Sequence, residues 1–282
     1  MKRTVRIAAL AMALVLALSC LAGCQQNQAK TYKILEENFG AENYAIGFRS
    51  EDVALGLEVQ RILDEMIADG TAAEISEKWF DADILLKDAE YLEESEAPAG
   101  DTSLEDLKSR GELILGLDDS FPPMGFRDEE NNVVGFDIDL AAEVCKRMGV
   151  ELKIQPIDWD SKELELSSGR VDCLWNGMSV TDDRLEAMFM AKPYVANTQV
   201  IIVPEGSDIQ TKADLAGKKV GLQKGSSSLE ALMKDEATYN AIGEENITQL
   251  AENVTVFMDL KAGRIDAFIV DEIVGRYLIA NN

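Results

Sequence analysis

The sequence predicts an α/β protein built as two lobes around largely parallel sheets, and three observations carry that prediction. A chain of 282 residues has room for two lobes of ordinary domain size, each with a core large enough to fold without disulfides. From Glu112 onward, short apolar runs rich in β-formers alternate with amphipathic stretches, the rhythm of successive βαβ units. One run also recurs: Gly169-Arg170-Val171-Asp172-Cys173-Leu174 is echoed by Gly263-Arg264-Ile265-Asp266-Ala267-Phe268. Each copy reads as a helix-ending glycine leading into a buried strand, so the two lobes share one plan.

The first element lies outside that fold. Lys2, Arg3 and Arg6 precede an apolar run from Ile7 to Leu18, followed by Leu21-Ala22-Gly23-Cys24. A basic start, an apolar stretch too short to span comfortably and small residues at a cut site make an export signal over 1–23 rather than a membrane anchor. The tetrapeptide ending at Cys24 resembles a bacterial lipoprotein cleavage box, which implies a lipid on Cys24 and an extracytoplasmic, membrane-tethered domain. Cleavage removes three positive charges and takes the formal charge from −25 to −28. So acidic a surface argues against nucleic acid or an anionic membrane face as partner.

Residues 52–70 read as a helix, with Val59, Ile62, Leu63, Met66 and Ile67 at helical spacing and Gly70 at its end. Thr71 and Glu74 have the spacing of a capping box for a second helix carrying Ile75 and Trp79. Residues 87–101 dissolve into acids with Pro98 and Gly100, an acidic linker. Beyond it, strands are expected at Glu112–Leu117, Glu151–Gln155 and Val171–Trp175, with helices at Phe136–Met148 and around Leu164. A second series follows: strands at Lys219–Gln223, Val254–Phe257 and Ile265–Val270, and a helix at Ser228–Met233. In open α/β sheets ligands bind beyond the carboxyl ends of strands. The residues just past the two echoed runs, Asn176-Gly177-Met178-Ser179 and Asp271-Glu272, are polar groups in that position.

The chain has no histidine, which removes Ser-His-Asp and Cys-His catalysis and the commonest zinc ligand. No catalytic residue, cofactor or metal is expected. After the signal and Cys24, only Cys145 and Cys173 remain; they form one disulfide or, as their apolar settings favour, two buried thiols.

Gly135-Phe136-Asp137-Ile138-Asp139-Leu140, with Val144 and Cys145, resembles the signature of the family-3 solute-binding proteins of polar amino-acid ABC transporters. Phe121-Pro122-Pro123-Met124, Asn176-Gly177-Met178-Ser179-Val180-Thr181 through Arg184, and Val270-Asp271-Glu272 match in family order. The resemblance implies a two-lobed periplasmic-binding-protein-like II fold with two hinge strands, near Ala196–Ile201 and Ala41–Ile46. It implies a small amino acid as ligand, an ABC transporter permease as partner, closure of the lobes on the ligand, and a monomer.

The order of the pieces departs from the family. Tyr44-Ala45-Ile46-Gly47-Phe48-Arg49, Asp69-Gly70-Thr71 and Trp79-Phe80 look like the family's C-terminal third, here placed ahead of its N-terminal motifs. A circular permutation through the acidic linker accounts for this, since cuts in exposed loops are tolerated where the old ends lie close. The rival account is a tandem-duplication fragment that swaps segments between molecules. Under the permutation, 24–42 is a leader and second-lobe segment, 43–86 a main-lobe segment, 87–101 the linker, 102–198 the main lobe and 199–282 the second lobe.

A zwitterion needs a planar cation for its carboxylate and acceptors for its ammonium. The family match gives Arg184 the first role, because guanidinium binds two oxygens and keeps its charge. Ser226 and Ser227 offer free N–H groups at a helix start. Asp271 would accept from the ammonium, and Asn176, the Gly177 carbonyl and Ser179 would complete the contacts. Phe121 and Trp159 would flank the ligand side chain, and Asp118 would reach its distal end, favouring polar or cationic side chains. A ligand-sensing ectodomain and a dehydratase on the same fold are the competing readings; the lack of histidine counts against the latter.

Overall fold

We describe a computed structural model over residues 31–91 and 96–282. The export signal, Cys24 and the middle of the acidic linker lie outside the described residues. In chain order the strands and helices are β1 (Tyr32–Ile34), β2 (Ala41–Tyr44), β3 (Gly47–Phe48), α1 (Val53–Asp69), α2 (Thr71–Phe80), α3 (Ser103–Arg110) and β4 (Glu112–Leu117). Then come β5 (Ser120–Phe121), β6 (Gly125–Arg127), β7 (Val133–Val134), α4 (Phe136–Met148), β8 (Glu151–Pro156), α5 (Lys162–Ser167), β9 (Cys173–Leu174), α6 (Asp182–Ala187) and β10 (Phe189–Met190). The last stretch holds β11 (Val195–Pro204), β12 (Val220–Gln223), α7 (Ser227–Lys234), α8 (Glu236–Ile242), β13 (Ile247–Leu250), α9 (Asn253–Ala262), β14 (Ala267–Asp271) and α10 (Glu272–Ala280).

Two sheets organise the molecule. One has five strands in the order β10-β3-β9-β4-β8, parallel where β4 meets β8 and β9. The other has the order β1-β11-β14-β12-β13, with β2 also on β11, and is parallel where β12 meets β13 and β14. We call the bodies around them the five-stranded and six-stranded lobes. A small sheet, β5-β6-β7, follows β4.

Residues from the front of the chain complete both lobes. In α1 the apolar stripe Val59, Ile62, Leu63 and Met66 is wholly buried, and the helix packs on α4 and α2. β3 joins β9 and β10, while β1 extends β11. Strand β11 is long because it serves both lobes. Its first half pairs with β2, from Val195 opposite Tyr44 to Thr198 opposite Ala41; its second half pairs with β1 and β14. Single bridges from Tyr44 to Ser179 and from Leu85 to Val195 tie this ribbon to the five-stranded lobe. The two crossing strands are thus β11 and β2.

Several expectations need correction. Val254–Phe257 lies in helix α9, not in a strand: Val256, Phe257 and Leu260 bury one face together, and the strand beside β12 is Ile247–Leu250. The Thr71–Glu74 capping box does not form. Asp69 takes that role, its Oδ1 accepting from the Thr71 amide at 3.0 Å and hydroxyl at 2.7 Å. The strand expected at Val171–Trp175 is only Cys173–Leu174, because Asp172 turns its side chain back to accept from the Ile114 amide. Cys145 and Cys173 are free, buried thiols.

Candidate functional site

The carboxyl ends of β9, β12 and β14, from opposite lobes, face one small shared cavity. Phe121, Trp159, Asn176, Gly177, Ser179 and Arg184 line it from the five-stranded lobe, and Gln223, Ser226, Ser227 and Asp271 from the other. Nine of these were expected from the sequence. Asp118, the tenth expected residue, is not in the lining. It sits one step behind, its carboxylate accepting from Gln223 Nε2 at 2.7 Å and from the Ser120 amide and hydroxyl, each at 2.8 Å.

Arg184 starts from an exposed-looking context, Asp182-Asp183-Arg184, yet it is 7 % exposed. Helix α6 begins at Thr181, whose Oγ1 caps the Arg184 amide, and this turns the guanidinium inward. There its Nη1 donates to the Ser179 carbonyl at 2.7 Å. Among the described residues no carboxylate pairs with it, and burial lowers its pKa from the ordinary arginine value. A buried cation without a counter-ion is costly, and an anionic group entering the cavity would relieve that cost.

The acidic side of the cavity follows from strand register. Asn197 on β11 stands opposite Glu42 on β2, and Gln199 stands opposite Asp271 on β14. Alternate side chains of β11 therefore meet both carboxylates. Asn197 Nδ2 donates to Glu42 Oε1 at 2.7 Å and to Asp271 Oδ1 at 2.8 Å, and the Tyr44 hydroxyl donates to Asp271 at 2.8 Å. Glu42 also accepts from Gln199 Nε2 at 2.9 Å and from the Ser179 hydroxyl at 2.6 Å. Burial, then the neighbouring Glu42 carboxylate, hold Asp271 well above the usual carboxylate range despite the hydrogen bond from Tyr44. Although Asp271 precedes α10, its side chain makes no cap; it is turned into the site.

The rest of the frame is neutral. Ser226 caps α7, and the Ser227 hydroxyl donates to Ser179 Oγ at 2.9 Å, a direct bond between lobes. The Asn176 carbonyl oxygen accepts from the Asp118 amide, while its Nδ2 is buried without a partner beside the cavity. Gly177 is left-handed (φ 56°), and a Cβ there would lie 2.9 Å from Phe121 and 3.0 Å from Tyr44, so only glycine fits. Its N–H donates at 2.7 Å to Asp137, a fully buried carboxylate that also accepts from the Tyr194 hydroxyl at 2.8 Å. Burial pushes Asp137 up to about 7.

Sequence reasoning missed Glu42, Tyr44, Asn197, Gln199 and Gln223. Gln223 was findable, as it ends an expected strand on the side where ligands bind. The other four depend on β11 pairing with strands from both ends of the chain, which local pattern does not disclose. Among the described residues no cluster of acids and cysteines has metal-site geometry, and no helix is long and apolar enough to cross a membrane.

Comparison with known proteins gives this geometry a setting. The chain is 30 % identical over 178 residues to the L-cystine-binding protein of Escherichia coli (strain K12), covering 62 % of this chain and 65 % of that protein. It is 36 % identical over 161 residues to the lysine/arginine/ornithine-binding periplasmic protein of the same strain, covering 56 % of this chain and 60 % of the relative. The matches thus span less than two thirds of these relatives. Among solved structures, an ABC uptake transporter substrate-binding protein from Streptococcus pneumoniae with bound histidine superposes with a TM-score of 0.62 at 34 % identity, covering 65 % of this chain and 75 % of that one. The arginine-bound, truncated arginine-binding protein of T. maritima gives 0.59 at 37 % identity, covering 63 % of this chain and 82 % of that one. The model of the bacterial extracellular solute-binding proteins, family 3, matches residues 113–256, just over half of the chain. The two-lobed fold and this match establish that the chain belongs to that family of solute-binding proteins.

Proposed function

We propose that the protein binds a polar amino acid outside the cytoplasm and delivers it to an ABC importer by closing its lobes around it. One observation carries the reading: a buried guanidinium and a buried carboxylate, neither paired with an opposite charge among the described residues, line one cavity. A zwitterion supplies the two charges that are lacking. Its carboxylate takes Arg184 and the N–H groups at the start of α7; its ammonium takes Asp271, with the Gly177 carbonyl and Ser179 hydroxyl beside it. Phe121 and Trp159 wall the side chain. Asp118, reached through Gln223, adds negative potential at the far end and favours polar or cationic side chains over acidic ones. Contacts from both lobes bind the closed state better than the open one, which is what drives closure. The reaction is binding and release, with no catalytic step.

Two finer parts belong to the same proposal. A lipid on Cys24 tethers the domain to the membrane. The segment order is a circular permutation: the matched span leaves about a third of the L-cystine-binding relative uncovered, and residues 32–86 pack into both sheets from ahead of it. A thermal-shift screen of the twenty amino acids with ornithine and cystine tests the function. Stabilisation by a small set of polar or cationic amino acids is expected; no shift with any of them would remove it.

A further inference from the structure

The lips of the cleft meet behind Trp159, through residues that do not line the cavity. On the five-stranded lobe, the turn Trp159–Ser161 leads into α5, whose first residue is Lys162. On the six-stranded lobe, Lys224 and Gly225 join β12 to α7. Lys162 is 3 % exposed, and its ammonium lies 5.3 Å from the centre of the Trp159 ring. It donates within its own lobe to the Trp159 carbonyl at 3.3 Å and pairs with Glu163 at 2.9 Å. Its shorter backbone bond, 2.8 Å, crosses to the Gly225 carbonyl of the opposite lobe. A second charge pair crosses beside it, Lys224 Nζ to Asp160 Oδ2 at 2.7 Å. The backbones themselves touch there: Gly225 is left-handed (φ 71°), and a Cβ on it would lie 2.8 Å from Asp160 Cα.

A buried ammonium persists only where protein groups replace its water. For Lys162 one of those groups belongs to the other lobe, so its solvation is complete only when the cleft is shut. We propose that Lys162, backed by the Asp160–Lys224 pair, is a clasp that holds the closed cleft and thereby sets how slowly the bound amino acid leaves. This rests on the amino-acid-binding reading for its ligand, but the clasp acts on closure itself. It therefore maintains a closed population even without ligand, and removing it raises the release rate of the bound amino acid.

The experiment places spin labels on Leu164→Cys in α5 and Met233→Cys in α7, both well exposed, and measures the distance between lobes in the full chain. Without ligand, Lys162→Met, which keeps the apolar stem, shifts the closed-to-open ratio about tenfold toward open. Lys224→Gln, whose side chain is 56 % exposed and safe for folding, shifts it the same way by less. With L-arginine as probe, Lys162→Met releases it about tenfold faster in stopped flow. A ligand-free protein with no closed population, or an unchanged ratio in both variants, overturns the clasp. Should Lys162→Met fail to fold, Lys224→Gln decides alone. Failure of L-arginine to bind counts against that ligand and leaves the ligand-free distances to decide the clasp.

Discussion

At the scale of residues, the site works by leaving charges incomplete. Arg184 and Asp271 are each buried with hydrogen bonds but without an ion-pair partner among the described residues, and Glu42 crowds Asp271 with a second negative charge. Only the ionised form of Asp271 accepts well from an ammonium. On the proposed role for Asp271, its raised pKa means that affinity should be full above that value and lost as pH falls through it. Glu42→Gln removes the repelling charge and keeps an acceptor oxygen. In calorimetric titrations over a pH series, the variant's loss of affinity should begin at a lower pH than that of the wild type; superposable pH profiles would refute the coupling. That Arg184 lines the cavity was legible because the family motif carries it. Glu42 was not, since an acid two residues before Tyr44 on an edge-like strand reads as solvated until its partner strand is known.

At the scale of elements, the loop between β9 and α6 is held by one buried carboxylate. Asp137 starts α4 and accepts from the Gly177 N–H, fixing the backbone whose neighbours Asn176 and Ser179 line the cavity. Its pKa is raised to about 7 from 3.8, so the unfolded chain ionises first as pH rises. The stability this group contributes is complete below the unfolded value and is lost between about pH 4 and pH 7. Asp137→Asn lacks that dependence: the melting temperature of the wild type relative to the variant should fall across this interval, and parallel melting curves would contradict it. Elements with a strong period were readable from sequence, α1 and α4 above all, because their buried stripes sit at helical spacing. Val254–Phe257 misled because the β-prone stretch Val-Thr-Val-Phe is too short to separate the two periods, and only burial of Leu260 with Val256 and Phe257 shows the helix. The small sheet β5-β6-β7 has strands of two or three residues, too short to leave a periodic trace.

At the scale of the whole molecule, the fold depends on joining the two ends of the sequence in one pair of sheets. β2 and β11 cross together between the lobes, and β1, from the front of the chain, pairs with the same β11 that meets β14 from its end. The linker lies between anchored points: the Leu86 N–H donates to the Tyr194 carbonyl at 2.9 Å, and Asp101 accepts from the Ala54 amide at 2.6 Å. Shortening the linker between Lys87 and Asp101 should strain those anchors and lower the melting temperature of a chain that remains monomeric in light scattering. Unchanged melting together with a dimer would favour exchange of segments between molecules. The two-lobed plan was visible in the echoed Gly-Arg-x-Asp runs; the pairing that makes one cavity from them was carried by the family resemblance, not by local pattern.

The most direct measurement is calorimetric titration of the amino acid selected by the thermal-shift screen into wild-type protein and Arg184→Ala, with folding of both checked by circular dichroism. Loss of a buried charge partner predicts weakening by ~2 kcal/mol or more, at least ~30-fold, with the fold intact. Equal affinity in the two proteins would show that the carboxylate does not meet Arg184 and would contradict the account.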